Sequence, residues 1–151
     1  MIVTIDGPAG SGKSTTASLL AKRLGLICLD TGAMYRAITC SVLEKGIDPA
    51  DEAAVTEVAS KADLELRIID GTPQFFLDGR ETESRIRTPE VSGAVSPVSR
   101  HRGVRDAMVR IQRRIGKKGG IVAEGRDTGT TVFPFADVKI FLVADIATRA
   151  S

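Results

Sequence analysis

The run Gly7-Pro8-Ala9-Gly10-Ser11-Gly12-Lys13-Ser14 restricts this chain more than any other feature, because of what flanks it. Ile2-Val3-Thr4-Ile5 reads as a short buried strand, and the glycines follow directly after Asp6. From Lys13 to Leu24, Ala17, Leu20, Ala21 and Leu24 recur at helical spacing until Gly25 stops the helix. A strand, a glycine-rich turn and a helix in that order aim backbone N–H groups into one small space. The helix N-terminus adds unpaired amides and the positive end of its dipole. The predicted product is a cradle for phosphate.

The run matches G-x-x-x-x-G-K-[ST], the P-loop pattern, at every fixed position. Gly7, Pro8, Ala9, Gly10, Ser11, Gly12, Lys13, Ser14 and Thr15 are therefore the candidate ATP-binding residues. Lys13 is expected to lie exposed until phosphate arrives and then to reach the β- and γ-phosphates. The Ser14 hydroxyl is expected to coordinate Mg²⁺. Kinases, GTPases, motor ATPases and regulatory switches all share this loop. Guanine-specific GTPases read their base with an Asn-Lys-x-Asp motif, and this chain contains no asparagine. A large mechanical ATPase would need more than 151 residues.

The remaining pattern predicts an α/β chain, a parallel sheet flanked by helices. Leu26 to Leu29 reads as a second strand and Ala33 to Leu43 as a second helix. Asp48-Pro49 reads as an N-cap and first helical position, opening a helix to about Ala62. Then the period changes. Leu64 to Ile68 alternates, Asp70-Gly71 is a turn, Gln74 to Leu77 is another strand, and Asp78-Gly79 another turn. Thr88-Pro89-Glu90 restarts helix, and Val104, Met108, Ile111 and Ile115 mark the apolar face of the next, which Gly119-Gly120 ends. Ile121 to Ala123 and Val138 to Val143 read as buried-type strands, and Asp145 as the N-cap of a helix in which the chain stops at Ser151. The chain is thus expected to be a fragment.

Composition narrows the partners. A net charge of +2 offers no general surface for a nucleic-acid backbone, although the arginines gather between Arg80 and Arg126. There is no Trp for a stacking platform. Cys28, Cys40 and the sole histidine, His101, cannot assemble a convincing metal or disulfide site, so free buried thiols are expected. No apolar run nears the ~20 residues of a membrane span, and no leader pattern opens the chain. A cytoplasmic protein is expected.

Two further segments sit at predicted strand ends, where open α/β sheets bind ligands. In Asp30-Thr31-Gly32-Ala33-Met34-Tyr35-Arg36, Arg36 could hold a second phosphate, or be a solvated helix residue. In Glu124-Gly125-Arg126-Asp127-Thr128-Gly129-Thr130, three charges crowd a glycine-flanked loop, organised either by ligand or by an Arg126–Asp127 ion pair. Glu124 could hold a water on Mg²⁺.

These segments, with Arg105 inside Gly103-Val-Arg-Asp-Ala107, resemble bacterial cytidylate kinases in order and spacing from Met1 to Ser151. The resemblance implies one P-loop kinase domain over 1–151, with 1–62 and 99–151 as core and about 63–98 as a small antiparallel insert that binds the nucleoside monophosphate. It implies transfer of the γ-phosphate of ATP, with Mg²⁺, to CMP or dCMP in pyrimidine nucleotide metabolism. Lys13, Arg36 and Arg126 would be catalytic. Thr31, Tyr35, Arg36 and Arg126 would line the CMP site, with Arg36 and Arg126 on its phosphate. Ser96, Arg105 and Asp127 would read cytosine, although pattern alone makes Ser96 and Arg105 ordinary solvated helix residues. A carboxylate can accept from the exocyclic amine of cytosine, and arginine can donate to its O2 and N3. The family continues into an arginine-rich lid and a further strand, so this chain is expected to be C-terminally truncated, poorly active by itself and monomeric. A kinase for another nucleotide and a non-catalytic ATP-binding module stand as alternatives.

Overall fold

A computed structural model describes residues 1–143. In chain order the elements are β1 (Ile2–Asp6), α1 (Lys13–Leu24), β2 (Ile27–Asp30), α2 (Thr31–Glu44), α3 (Glu52–Lys61), β3 (Leu64–Ile69), β4 (Thr72–Leu77) and β5 (Arg80–Glu81). There follow α4 (Pro89–Arg100), α5 (Arg102–Lys117), β6 (Ile121–Gly125), a single π-type turn (Thr128–Val132) and β7 (Val138–Phe141). They form two units, one of Met1–Thr31 with the residues from Gln112 on, the other of Gly32–Ile111.

The first unit is built on a parallel sheet of order β2-β6-β1-β7. Its central strands are near-continuous apolar runs, as burial on both faces demands. Val3, Ile5 and Val122 pack with Ala17 and Ala21 of α1 into one core cluster. The small alanines let the helix lie close to the sheet. Gly25 ends α1 in the left-handed region, at φ 67°, with its N–H on the carbonyls of Ala21 and Lys22.

The second unit combines α2, α3, α4 and most of α5 with the antiparallel sheet β3-β4-β5. Asp70 and Gly71, then Asp78 and Gly79, all take positive φ, so both hairpin turns are the tight primed kind. Register pairs Leu64 with Leu77 and Leu66 with Phe75 across β3 and β4. Leu64, Phe75 and Leu77 are buried there. Thr88 caps α4 by accepting from the Val91 amide, and Pro89 takes the first turn.

One sequence expectation fails. The helix expected from Asp48 begins at Glu52, with Asp51 as its N-cap accepting from the Ala54 amide. Asp48 instead turns on itself, Oδ1 accepting from Ala50, and the Pro49 carbonyl is held by His101 Nε2 at 2.8 Å. Proline's fixed φ serves a turn as well as a first helical position, and a second Asp three residues on supplied the better cap. The last strand, a buried type by composition that is expected to become an apolar sheet edge where no neighbour covers it, pairs only with β1 among the described residues, with Val138, Phe141 and Val143 exposed. The expected helix at Asp145 lies outside the described residues.

Within the second unit α3 and α5 approach so closely that a Cβ on Gly103 would fall within 3 Å of the Thr56 side chain. Thr56 is β-branched and cannot swing aside cheaply. Gly103→Ala should therefore destabilise the fold by about 1–2 kcal/mol, overpacking outweighing the gain in helix propensity. Denaturant unfolding would measure it, and adding Thr56→Ala should recover most of the loss.

Candidate nucleotide-binding site

Parallel pairing sets Asp6 opposite Gly125 and Ile5 opposite Glu124, so the loops after β1 and β6 begin side by side. The Gly7 amide donates to the Gly125 carbonyl at 3.2 Å, and a Cβ on Gly7 would lie 2.5 Å from the Leu142 carbonyl oxygen. Only glycine fits. Gly10 and Gly12 take φ of 75° and 83°, and the Ser11 amide closes a turn onto the Pro8 carbonyl. Gly12 caps α1 without any side-chain hydrogen bond, which leaves the first-turn amides without a side-chain acceptor. The buried Ser11 hydroxyl likewise has no partner among the described residues. Unspent donors converging on one loop suit an anion with many oxygens.

Lys13 is half-buried rather than exposed, its Nζ folded back to 3.5 Å from the Pro8 carbonyl. That long contact is a weak tether, since an ammonium has three donors to satisfy and no stronger partner among the described residues. Ala9, Gly10, Ser14 and Thr15 are exposed along the loop and the opening of α1.

The Ser14 hydroxyl donates to Glu124 Oε1 at 2.6 Å. Glu124, at the head of β6, is buried, and its carbonyl accepts from the Thr31 hydroxyl at 2.7 Å. A Cβ on Gly125 would collide with that same Thr31 hydroxyl. A hydroxyl backed by a carboxylate is a hard-oxygen donor set that fits Mg²⁺. No cluster of three His, Cys, Asp or Glu that could cage a metal occurs among the described residues. An ion here would take its other ligands from phosphate and water.

Arg126 is exposed and Asp127 half-buried. Asp127 begins the π-type turn, its carbonyl accepting from the Thr131 and Val132 amides. The sequence reading passed over Asp6, whose buried carboxylate takes three hydrogen bonds from Thr128 and Gly129. An acid immediately before the first P-loop glycine was the available signal.

In the second unit, Arg36 donates to the Ile86 carbonyl at 3.3 Å and to the Ser92 hydroxyl at 3.0 Å. Tyr35 is half-buried beside it on α2. Ser92 was also missed, though it stands one helical turn before Ser96 on α4 and so shares its face. Ser96 is exposed and accepts from the Arg100 guanidinium. Arg105 is exposed in the first turns of α5. Arg36 thus attaches to the face of α4 that also carries Ser96.

A model of the cytidylate kinase family matches residues 3–151. The chain belongs to the cytidylate kinase family. It is 52% identical over 150 residues to a bifunctional pantoate ligase/cytidylate kinase of Parasynechococcus marenigrum, covering 99% of this chain and 30% of that protein. It is 46% identical over 148 residues to a cytidylate kinase of Caldicellulosiruptor bescii, covering 98% of this chain and 66% of that one. A bifunctional relative in Synechococcus elongatus is 50% identical over 154 residues, covering 99% of this chain and 29% of that protein. The chain therefore spans less than two thirds of the length of each.

Burial silences the thiol of Cys28, which lies on β2 near Glu124 and Asp30. Burial pushes the Cys28 thiol up to about 12, helped by the negative charges of Glu124 and Asp30. A raised thiol pKa means the neutral S–H persists far above neutrality, so the nucleophilic thiolate is scarce. Burial, with Glu44 adding to it, also raises Cys40. At pH 8 Cys28 should alkylate about a thousandfold more slowly in the folded protein than in denaturant. Mass spectrometry after timed iodoacetamide exposure would read this, and prompt native modification of Cys28 would contradict the packing described.

Proposed function

We propose that this chain carries the phosphoryl-transfer site of a kinase that converts CMP or dCMP, with ATP, to CDP or dCDP and ADP. The observation that carries the proposal is the family match, which spans both the P-loop and the Glu124–Thr130 segment. The hydrogen bond between Ser14 and Glu124 supports it, since it joins those two segments at one point. The relatives bear the same activity in their names.

In this reading Gly7 to Thr15 hold the ATP phosphates, and Lys13 swings from the Pro8 carbonyl onto the β- and γ-oxygens. Mg²⁺, bound at Ser14 with Glu124 behind it, would supply charge neutralisation on those oxygens. Thr31, Tyr35, Arg36 and Arg126 line the acceptor site, with Arg36 and Arg126 on the phosphate of CMP. Ser96, Arg105 and Asp127 read the base. Residues 1–62 and 99–151 are the core, and about 63–98 the acceptor-binding insert. The enzyme works as a cytoplasmic monomer on small nucleotides, not on nucleic acid or membrane; no helix among the described residues is long and apolar enough to cross one.

The chemistry needs no general base. An acceptor phosphate oxygen, already ionised at pH 7, forms the new P–O bond as the bond to the ADP oxygen breaks. Catalysis then rests on in-line positioning and on cations that hold charge as it shifts between the two oxygens. His101, bonded to the Pro49 carbonyl, has a structural place and no part in this step.

A coupled ADP-release assay of the full-length protein with CMP, dCMP, UMP and AMP should show turnover with the cytidine nucleotides well above the others. Preference for UMP or AMP would refute the base assignment, and ATP binding without turnover would make the protein a binding module. Arg36→Ala should raise KM for CMP ~10- to 100-fold, the worth of charge-assisted hydrogen bonds, and leave KM for ATP nearly unchanged. A variant weakened toward ATP instead would reverse the two phosphate sites.

A further inference from the structure

Resting on that function, we propose that Asp6 is a positioning residue for base recognition. Its buried carboxylate fixes Arg126 and Asp127 by gripping Thr128 and Gly129.

Asp6 Oδ1 accepts from the Thr128 amide at 2.8 Å and the Thr128 hydroxyl at 2.6 Å, and Oδ2 accepts from the Gly129 amide at 2.8 Å. Asp6 is 5% exposed and Thr128 fully buried. No cation pairs with Asp6 among the described residues, so three donors alone compensate its charge. A buried carboxylate is a costly way merely to fill space, since apolar side chains do that without a desolvation penalty. What it supplies is direction.

The gripped turn is of an uncommon kind. The Phe133 amide closes onto the Thr128 carbonyl at 2.7 Å, five residues back, a π-type bond that rarely stands alone. At its far end Arg113 donates from Nε to the Val132 carbonyl at 2.9 Å and from its guanidinium to the Thr131 carbonyl at 3.0 Å. An anion at the start and a cation at the end both oppose the dipole of the turn. Gly129 completes the fit, because a Cβ there would stand 2.6 Å from Thr4 Oγ1 and 3.3 Å from Asp6 Oδ2.

The other side of the segment is tied as firmly. The Gly125 carbonyl accepts from Gly7, the Glu124 carbonyl from Thr31, and the Glu124 carboxylate from Ser14. Only Arg126 and Asp127 lie between these anchors and Thr128. Two residues strung between fixed points have few conformations to lose on binding, which is what preorganisation requires. The Thr128-Gly129 pair thereby gains a purpose: its hydroxyl and close-lying amide are what Asp6 holds.

The test compares Thr128→Val, which keeps shape and removes the hydroxyl donor, with Thr128→Ser, which keeps the donor, in the full-length protein. Thr128→Val should raise KM for CMP ~10-fold and compress the CMP-to-UMP ratio of kcat/KM by a similar factor, with KM for ATP within about twofold. Thr128→Ser should stay near wild type. Should Thr128→Val fail to fold, Arg113→Gln loosens the opposite end and should move the same ratio in the same direction. A lowered Tm with an unchanged CMP-to-UMP ratio would overturn the proposal. Wild-type protein that turns over no cytidine nucleotide would refute the function instead. Hydrogen exchange at the Thr128 and Gly129 amides then decides the grip: slow exchange that Asp6→Asn accelerates upholds it, and exchange at loop rates in wild type refutes it.

Discussion

Everything at this site depends on the parallel pairing of β1 with β6. The register sets Asp6 against Gly125, so both strands deliver their carboxyl ends to one level. A slip of one residue would turn every side chain of β1 to the opposite face and separate Ser14 from Glu124. The register is therefore held on both sides. Val3, Ile5 and Val122 lock it through burial against α1, and the Gly7-to-Gly125 and Asp6-to-Thr128 hydrogen bonds lock it beyond the strand ends. Packing that any parallel sheet needs thus also places the two functional loops, and stability and site geometry share one cause.

Much of this was legible in the sequence because it rests on local rules. Lys13 to Leu24 reads as helix from spacing and a terminal glycine, and α1 has those limits. Asp70-Gly71 and Asp78-Gly79 announce hairpins because few other pairs tolerate positive φ so readily, and both turns sit there. What resisted reading was settled over distance. Asp48 and Asp51 are both good caps, and the tie between His101 and the Pro49 carbonyl, 52 residues apart, helps hold Asp48 in a turn and leave the cap to Asp51.

The site divides along the same line. The P-loop glycines and Lys13 are set by one short segment and could be found by pattern. Asp6 and Ser92 act through partners 122 and 56 residues away, and the only local hint is that Asp6 stands immediately before the first P-loop glycine. Lys13 shows the intermediate case. Its identity was plain, but its half-buried resting place on the Pro8 carbonyl depends on how the loop closes.

The charges explain how two acids can stand side by side at these strand ends. Asp6 and Glu124 are two buried acids at adjacent strand ends, which Coulomb repulsion alone would disfavour. Asp6 is answered by the neutral donors of Thr128 and Gly129, and Glu124 accepts from the Ser14 hydroxyl. Lys13 and Arg126 form no ion pair among the described residues, so on the proposed reading their charge is available to a phosphate. Hydrogen bonds to an anion are strong and directional, so the acids orient the loops. Arg36 follows the same logic in the second unit, held by a carbonyl and a hydroxyl rather than by a carboxylate. An arginine so held is aimed but not neutralised, and a dianionic phosphate remains the strongest partner it can acquire.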